Sequence, residues 1–338
     1  MRLFFITSGS GSFLSHLDPD VIDGFRELQK KKKNFHFGFF RTGKTPFNQL
    51  SKKIQAFRPD VILVFIGKNS HIIQLVLPRL RKINVPTGVW VVDDPYDLYR
   101  SQRLVQPYDF VVTQETSCLP FYRRFNKPSF HIPLGVNPLR YRPLGSGLSE
   151  EYESDICFIG NAFPSRVRLI DAIASYLQKK NVLLMGKWWD RLKHYDQLKP
   201  NIINRWMPHS EAVKYYNGAK IVLNLHASHN ETVARNRNHL NLPAQTPNNR
   251  TFEIAACGSF QLATRRPGFP RMFRMGSEMI CYRGPRDLIR KLRYYLAHDE
   301  IRQQVAQRAY RRTLRQHTYA ARLEKLVRAL EDSRFIQC

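Results

Sequence analysis

The chain is 338 residues long, about twice the ~100–200 residues of a single domain, so its length predicts two domains with separate cores. Hydrophobic residues make up 43% and charged residues 24%, ordinary globular usage that excludes wholesale disorder, a collagen-like fibre and a disulfide scaffold. Lys and Arg number 54 against 27 Asp and Glu, a formal net charge of +27, so the surface attracts anions: nucleotide phosphates, nucleic acid, acidic glycans or acidic lipid.

In the first half, short runs rich in β-branched and aromatic residues alternate with segments of helical period. Strands are predicted at Leu3–Ile6, His36–Phe40, Val61–Phe65, Gly88–Val92, Phe110–Val112 and Phe130–Ile132. Helices are predicted near Pro19–Lys31, Pro46–Phe57, Ser70–Lys82 and Cys118–Arg124. Several strands are apolar on both faces, as a doubly covered parallel sheet requires, which makes this half a doubly wound α/β domain. The breaker-rich stretch from Pro133 to Pro143 and the polar residues after it read as a linker.

The alternation then restarts, with strands at Ile156–Ile159, Val182–Met185, Ile221–Leu225, Ser259–Ala263 and Met279–Tyr282. Helices follow near Ser165–Lys179, Ser210–Asn217, Thr251–Cys257 and Asp287–Ala297, and nearly continuous helix runs from Glu300 to about Glu331 with a break at His317-Thr-Tyr. The polar segment His226–Asn248 is long for a loop and reads as a mobile substrate loop or as disorder. Two tandem α/β units create an interdomain cleft, and ligands favour such clefts, outside the carboxyl ends of parallel strands.

Four motifs bear on chemistry. Gly38-Phe-Phe-Arg-Thr-Gly43-Lys44-Thr45 matches the P-loop pattern, and Val89-Trp-Val-Val-Asp93 has the form of a Walker B strand. A P-loop must wrap a phosphate with backbone N–H groups, however, and Phe39-Phe40 fit better as the continuation of a strand. Ser8-Gly9-Ser10-Gly11-Ser12 follows the first strand and is either a tight turn or a phosphate-contacting loop; Leu14 stands where a third dinucleotide-binding glycine would be. His226 and His229 lack a third ligand of suitable spacing, so no metal site is expected.

The strongest local signal is Asn249-Arg250-Thr251-Phe252-Glu253-Ile-Ala-Ala-Cys257-Gly258. Thr251 is expected to help cap a short helix, Glu253 to sit in its first turn, and Gly258 to close it. A carboxylate there can accept two ribose hydroxyls while Arg250 and the helix N-terminus face phosphates; the alternative for Glu253 is an ordinary helix acid.

This stretch resembles the nucleotide-sugar motif of GT-B glycosyltransferases, and its R-T-F-E-x-x-A-C-G form is similar to the CgeB/YkvP family of glycosyltransferase-like proteins. Trp90-Val-Val-Asp93-Asp94-Pro95, Phe158-Ile-Gly160-Asn161 with Arg166, Ser210–Asn217, Lys220–His226, Tyr294-Tyr-Leu and His317-Thr318-Tyr319 carry the resemblance over most of the chain. It implies a GT-B fold: two Rossmann-like doubly wound domains facing a cleft, the nucleotide bound mainly by the second, and a final helix crossing back to the first. The related E-x(7)-E pattern departs here, because Gln245 stands at the position of its first acid.

The expected domains are residues 1–143, a linker at 144–154, a nucleotide-sugar domain at 155–315 and a crossing helix and tail at 316–338. The expected activity is sugar transfer from a nucleotide diphosphate-sugar, the substrate, to an unidentified hydroxylated acceptor such as a glycan or protein, with no cofactor. Such an enzyme must neutralise the diphosphate, align the sugar and take the acceptor's proton. Glu253, Arg250, Thr251, Gly160, Asn161, Gly9 and Gly11 are candidate donor-binding residues. Arg166 and Lys187 are candidates for the diphosphate or else face solvent, and Asp93, Asp94 and His16 are candidates for the proton acceptor. Rival readings are a P-loop phosphotransferase and a nucleic-acid-binding protein; the second is disfavoured because the basic residues are spread along the chain.

The cysteines (Cys118, Cys157, Cys257, Cys281, Cys338) are widely spaced without C-x-x-C, which fits a reducing cytosol. The apolar run Leu3–Ile6 is too short for a signal-peptide core, and Val61–Ile66 is far below the ~20 residues that span a bilayer. Secretion is therefore not expected, and any contact with an acidic membrane would be peripheral.

Overall fold

The computed structural model describes residues 1–9, 16–66, 70–145, 147–231 and 237–333, with backbone alone for 70–74. The chain forms two compact units: Met1–Gly135 with Arg235–Gln245 and Thr318–Cys338, and Val136–Ala234 with Thr246–His317.

The first unit runs β1 (Arg2–Ile6), α1 (Asp18–Lys31), β2 (His36–Phe40), α2 (Leu50–Phe57), β3 (Val61–Ile66), α3 (Ser70–Leu80), β4 (Thr87–Val91), α4 (Leu98–Leu104), β5 (Phe110–Thr113), α5 (Leu119–Arg123) and β6 (Ser129–His131). Among the described residues its sheet has six strands in the order β2-β1-β3-β4-β5-β6, every pair parallel. Alternation along each strand sends Phe5, Phe65 and Trp90 into one core layer and Phe4, Val64 and Val89 into the opposite one. All six residues of β3 are buried, as its place inside a doubly covered sheet demands.

The second unit runs β7 (Ser154–Ile159), α6 (Pro164–Leu177), β8 (Val182–Met185), α7 (Tyr195–Leu198), β9 (Ile202–Ile203), α8 (His209–Gly218), β10 (Ala219–Asn224), α9 (Asn249–Ala256), β11 (Gln261–Thr264), β12 (Ile280–Tyr282), α10 (Pro285–Ala297) and α11 (Asp299–Gln316). Its sheet is also six-stranded among the described residues, parallel throughout and ordered β12-β11-β10-β7-β8-β9. Read from the far edge this is the 3-2-1-4-5-6 Rossmann order, whose switch point lies where β7 adjoins β10.

The final helix α12 (Tyr319–Glu331) belongs to the first unit, where Leu323, Leu326, Val327 and Leu330 join the core layer of α1. Thr318 caps it by accepting from the Ala321 N–H, which explains the break after α11. Gly24 permits the α1–α12 approach: a Cβ there would stand 2.6 Å from Tyr319 Cβ.

The structure differs from the sequence reading in three places. The units part at Gly135–Val136, inside the breaker-rich stretch that starts at Pro133 but ahead of the expected domain end at residue 143, because Val136 and Tyr141 are buried in the second core. Residues 144–154 also pack there: the Leu144 N–H donates to Asn217 Oδ1, and Ser154 opens β7. The segment expected as a mobile or disordered loop is held in its described parts. Arg237 exchanges backbone hydrogen bonds with Tyr96 and Tyr99, and the Gln245 N–H donates to Glu115 Oε2 at 3.0 Å, all within the first unit.

Candidate functional site

The carboxyl ends of β7, β8, β10 and β11 carry a cationic and amide-rich cluster built wholly from the second unit. Its foundation is a buried network linking α9 to the two strands beneath it. Asn224, the last residue of β10, donates through Nδ2 to Thr251 Oγ1 (2.9 Å) and to Gln261 Oε1 (3.0 Å). Gln261 donates to the Thr251 carbonyl (2.8 Å), and Asn248 donates to Asn224 Oδ1 (3.1 Å). Every partner is an uncharged amide or hydroxyl, so the network fixes α9 without burying a charge.

Asn248, rather than Thr251, caps α9: its Oδ1 accepts from the Thr251 N–H at 3.1 Å. Thr251 is fully buried as the third helical residue, so it supports the site and does not face a ligand, a correction to its expected donor-binding role. Glu253 therefore falls in the second helical turn rather than the first. It is nearly buried, and its Oε1 accepts from Asn249 Nδ2 at 2.7 Å. Gly258, with φ of 71°, ends the helix turn as expected.

Two guanidinium groups converge where β7 ends. A Cβ at Gly160 would stand 3.1 Å from Arg250 Nη2 and 3.2 Å from Arg166 Nη1, and both guanidiniums lie over the Phe158 ring. Arg166, buried at the start of α6, is anchored to the carbonyls of Leu225 (2.9 Å) and Asn161 (2.8 Å). Arg250 Nη1 is buried and finds no hydrogen-bond partner among the described residues. Asn161 Oδ1 accepts from the Lys187 N–H at 3.1 Å, which places exposed Lys187 beside the same turn. Gly186 makes this close approach possible, since a Cβ there would lie 2.2 Å from the Gly160 carbonyl oxygen.

His226 and Arg266 join the cluster, although sequence reading assigned neither to it. His226 follows β10 and is nearly buried; Arg266 follows β11 and donates to the Ala227 carbonyl. Burial, reinforced by Arg266, Arg250 and Arg166, pushes the His226 imidazole well below its ordinary pKa, only partly offset by the Asn224 backbone. The available signal was the position of His226 at the end of an apolar strand, but nothing local showed that three arginines surround it.

In the first unit the expected residues separate. The Ser8 N–H and Oγ donate to the two Asp18 carboxylate oxygens at 2.9 and 3.0 Å, and the Gly9 backbone also favours the Asp18 carboxylate. These donors serve the chain's own acid, which corrects the phosphate-contacting role expected of Gly9; Gly11 lies outside the described residues. Burial nevertheless raises Asp18 to about 6.

Asp94 is corrected as a proton acceptor for a similar reason. It is 1% exposed and accepts from Ser101 Oγ (3.0 Å), Thr113 Oγ1 (2.6 Å) and Tyr122 Oη (2.7 Å), so its oxygens brace the chain after β4. Burial is the main cause that raises it to about 6. Asp93 and His16 are half-buried, Asp93 after β4 and His16 in the turn before α1.

The P-loop match dissolves in the fold. Gly38 lies inside β2, paired with Phe4 of β1; Gly43 and Lys44 form an exposed turn, half-buried Thr45 bridges back to Thr42, and α2 begins only at Leu50. No phosphate can sit at once in a wrapped loop and on a helix N-terminus there.

A profile of the family described as glycosyl transferase-like matches residues 166–328. The spore protein CgeB of Bacillus subtilis (strain 168) is 30% identical over 323 residues, covering 94% of this chain and 95% of that protein. Among solved structures, Anabaena Alr3699/HepE in complex with UDP superposes with a TM-score of 0.65 at 11% identity, covering 98% of this chain and all of that one. The DNA-modifying enzyme β-glucosyltransferase gives 0.65 at 10% identity, and sucrose-phosphate synthase from Thermosynechococcus elongatus gives 0.59 at 10%; each alignment covers 98% of this chain, with 100% and 99% of theirs. Those structures share the two-domain α/β fold, and the relative sharing nearly a third of its residues over almost the whole length settles the family. The glycosyltransferase reading thus holds over its rivals, and the chain belongs to the CgeB family of glycosyltransferase-like proteins.

Proposed function

We propose that the second unit binds a nucleoside diphosphate-sugar and that the protein transfers its sugar to a hydroxylated acceptor. The observation that carries this is the convergence of Arg166 and Arg250 on Gly160 at the Rossmann switch point, one α9 turn from the Glu253 carboxylate. The guanidiniums and Lys187 neutralise the diphosphate, Glu253 accepts the ribose hydroxyls, and the Gly160–Asn161 turn lets the backbone approach the phosphates. In this reading these cations replace a metal ion, and no cofactor takes part. The solved relative Alr3699/HepE was crystallised with UDP-glucose, which supports uridine diphosphate as the carrier. Asp93 and His16 are the proposed proton acceptors, because Asp94 is enclosed by hydroxyls. The excess positive charge favours an anionic acceptor or a peripheral acidic surface, and no described helix is long and apolar enough to cross a membrane. The four cysteines among the described residues are free, three of them buried, which fits work in a reducing cytosol.

A thermal-shift panel of UDP, GDP, ADP and their glucose conjugates tests the reading. A ligand present at 100 times its dissociation constant stabilises by about 2.7 kcal/mol. A rise with one nucleotide base is expected; no response to any member would overturn donor binding.

A further inference from the structure

Deepening the reading of the surplus charge, and resting on it rather than on the donor site, we propose that an arginine face of α11 and the turn packed beside it dock the second unit on an anionic phospholipid surface. Arg308, Arg311 and Arg315 stand three and four positions apart, so they share one side of the helix, opposite buried Ala306, Ala309 and Thr313. All three are exposed, and their side chains form no ion pair among the described residues. Several other helix cations have an acid within one turn: Arg26 pairs with Asp23, Lys31 with Glu27, Lys291 with Asp287 and Arg328 with Glu324. After Glu300, by contrast, α11 has no acid at all. Arg308 instead faces Arg311 and Arg312, and Arg311 faces Arg315, at the spacing where an opposite charge stabilises a helix and a like charge opposes it. An anionic surface lying along this side offsets the repulsion.

The neighbouring turn extends this face and selects the kind of anion. Arg312 Nε donates to the Met272 carbonyl at 3.0 Å and lies 3.9 Å from Glu278 Oε2, which holds the segment after β11 against α11. On that segment the Arg271 and Arg274 side chains are exposed and outside any ion pair among the described residues. Beside them Met275, 41% exposed, stands in a tight turn closed by the Gly276 N–H, which donates to the Met279 carbonyl at 2.9 Å. A soluble polyanion calls for the arginines alone. An exposed thioether among guanidiniums fits a bilayer interface, where the apolar side chain enters the acyl boundary and the planar forks reach lipid phosphates. The arginine stems lie along the interface while their heads stay with the phosphates. Such a contact is peripheral, in keeping with the absence of a described helix long and apolar enough to cross a membrane.

The test is flotation of the full chain with vesicles of phosphatidylcholine, with and without phosphatidylserine, at low salt. Two triple variants carry the same change of charge: Arg308→Glu, Arg311→Glu and Arg315→Glu on the proposed face, and Lys44→Glu, Lys52→Glu and Lys53→Glu at exposed positions of the first unit. Wild type is expected to bind the acidic vesicles and not the neutral ones. The arginine variant should bind about tenfold more weakly, and the lysine variant within about threefold of wild type. Met275→Gln should weaken vesicle binding about threefold and leave binding to soluble polyphosphate unchanged. Urea unfolding identifies the folded variants. Should the Glu triple misfold, Arg308→Gln, Arg311→Gln and Arg315→Gln together replace it, and this variant should be no less stable than wild type because it removes like charges from one face. Lower stability in the Gln variant would assign the arginines a structural role and overturn the proposal. Equal weakening by the arginine and lysine variants would make the attraction diffuse and overturn the docking face, while leaving the reading of the surplus charge intact. Unchanged vesicle binding in Met275→Gln would identify a soluble polyanion as the occupant and overturn the membrane. Failure of wild type to bind acidic vesicles would strike the peripheral-surface reading itself, and this inference with it.

Discussion

Two adjacent carboxylates just past β4 differ in burial: Asp93 is half-buried, whereas Asp94 is 1% exposed. Asp94 is enclosed by three hydroxyl donors, so Asp94→Ala should strand Ser101, Thr113 and Tyr122 and destabilise the protein by about 2–4 kcal/mol, measured by urea unfolding. Burial raises Asp94 from 3.8 to about 6, so the folded state binds its proton more tightly than the unfolded chain. The stability this proton gives is fully present below pH 3.8 and is lost as pH rises through about 6; Asp18 behaves alike. Unfolding curves across that window should therefore show stability falling with pH, and Asp94→Asn should flatten part of the slope. An unchanged slope in the variant would place the proton elsewhere. Glu253→Ala should weaken nucleotide-sugar binding by roughly 1.5–3 kcal/mol while the protein stays folded, because a ribose-accepting carboxylate makes charge-assisted hydrogen bonds. Equal affinity in calorimetry would remove Glu253 from the site. The Glu253 motif was legible because its residues are neighbours in sequence. The supporting network was not: Asn224 and Gln261 meet across 37 positions, and α9 begins at Asn249, so Asn248 is the cap and accepts from the N–H of Thr251, which lies inside the helix.

Elements of strong period were visible in the sequence, since β3 and β8 are unbroken apolar runs and α11 and α12 have a polar capping residue where they part. The short ones were missed. β9 has two residues and α4 seven, too few for a period to declare itself, and Phe47–Gln49 forms a tight 3-10 turn where α2 was expected to begin. The return of α12 onto α1 depends on a single absent side chain at Gly24. Gly24→Ala would bring a methyl group to 2.6 Å from Tyr319 Cβ and push the helices apart, so a loss of about 1–3 kcal/mol is expected in urea unfolding. A neutral result would mean that the two helices part at little cost. The opposite expectation holds for the exposed turn that mimics a phosphate loop. Lys44→Ala should change stability by no more than about 0.5 kcal/mol and leave UDP affinity unaltered, since neither a helix terminus nor a wrapped loop is built around it. Loss of nucleotide binding in that variant would restore the phosphotransferase reading.

Across the whole chain a net charge of +27 exceeds what a few phosphate-binding side chains need, and the surplus is on the surface of both units. Lys31 in the first unit and Lys220 in the second are each more than half exposed even while paired with an acid. Composition disclosed this surplus at once, but only the fold separates two populations of cation. Exposed charges are screened within ≈ 8 Å at physiological ionic strength, whereas Arg166 is buried and Arg250 keeps one guanidinium nitrogen out of solvent. Binding to an acidic surface and binding of the nucleotide should therefore respond differently to salt. Affinity for vesicles containing phosphatidylserine, or for a polyanionic glycan, should fall steeply between about 0.05 and 0.3 M sodium chloride, as the Debye length shortens from roughly 14 to 6 Å. UDP affinity over the same range should fall much less, because its partners are anchored in protein and shielded from counterions. Parallel curves would show that the nucleotide-binding cations are as open to solvent as the rest. Absence of vesicle or polyanion binding at low salt would instead mean that the surface charge serves no acidic docking partner, and the acceptor would then have to be sought among neutral hydroxylated molecules.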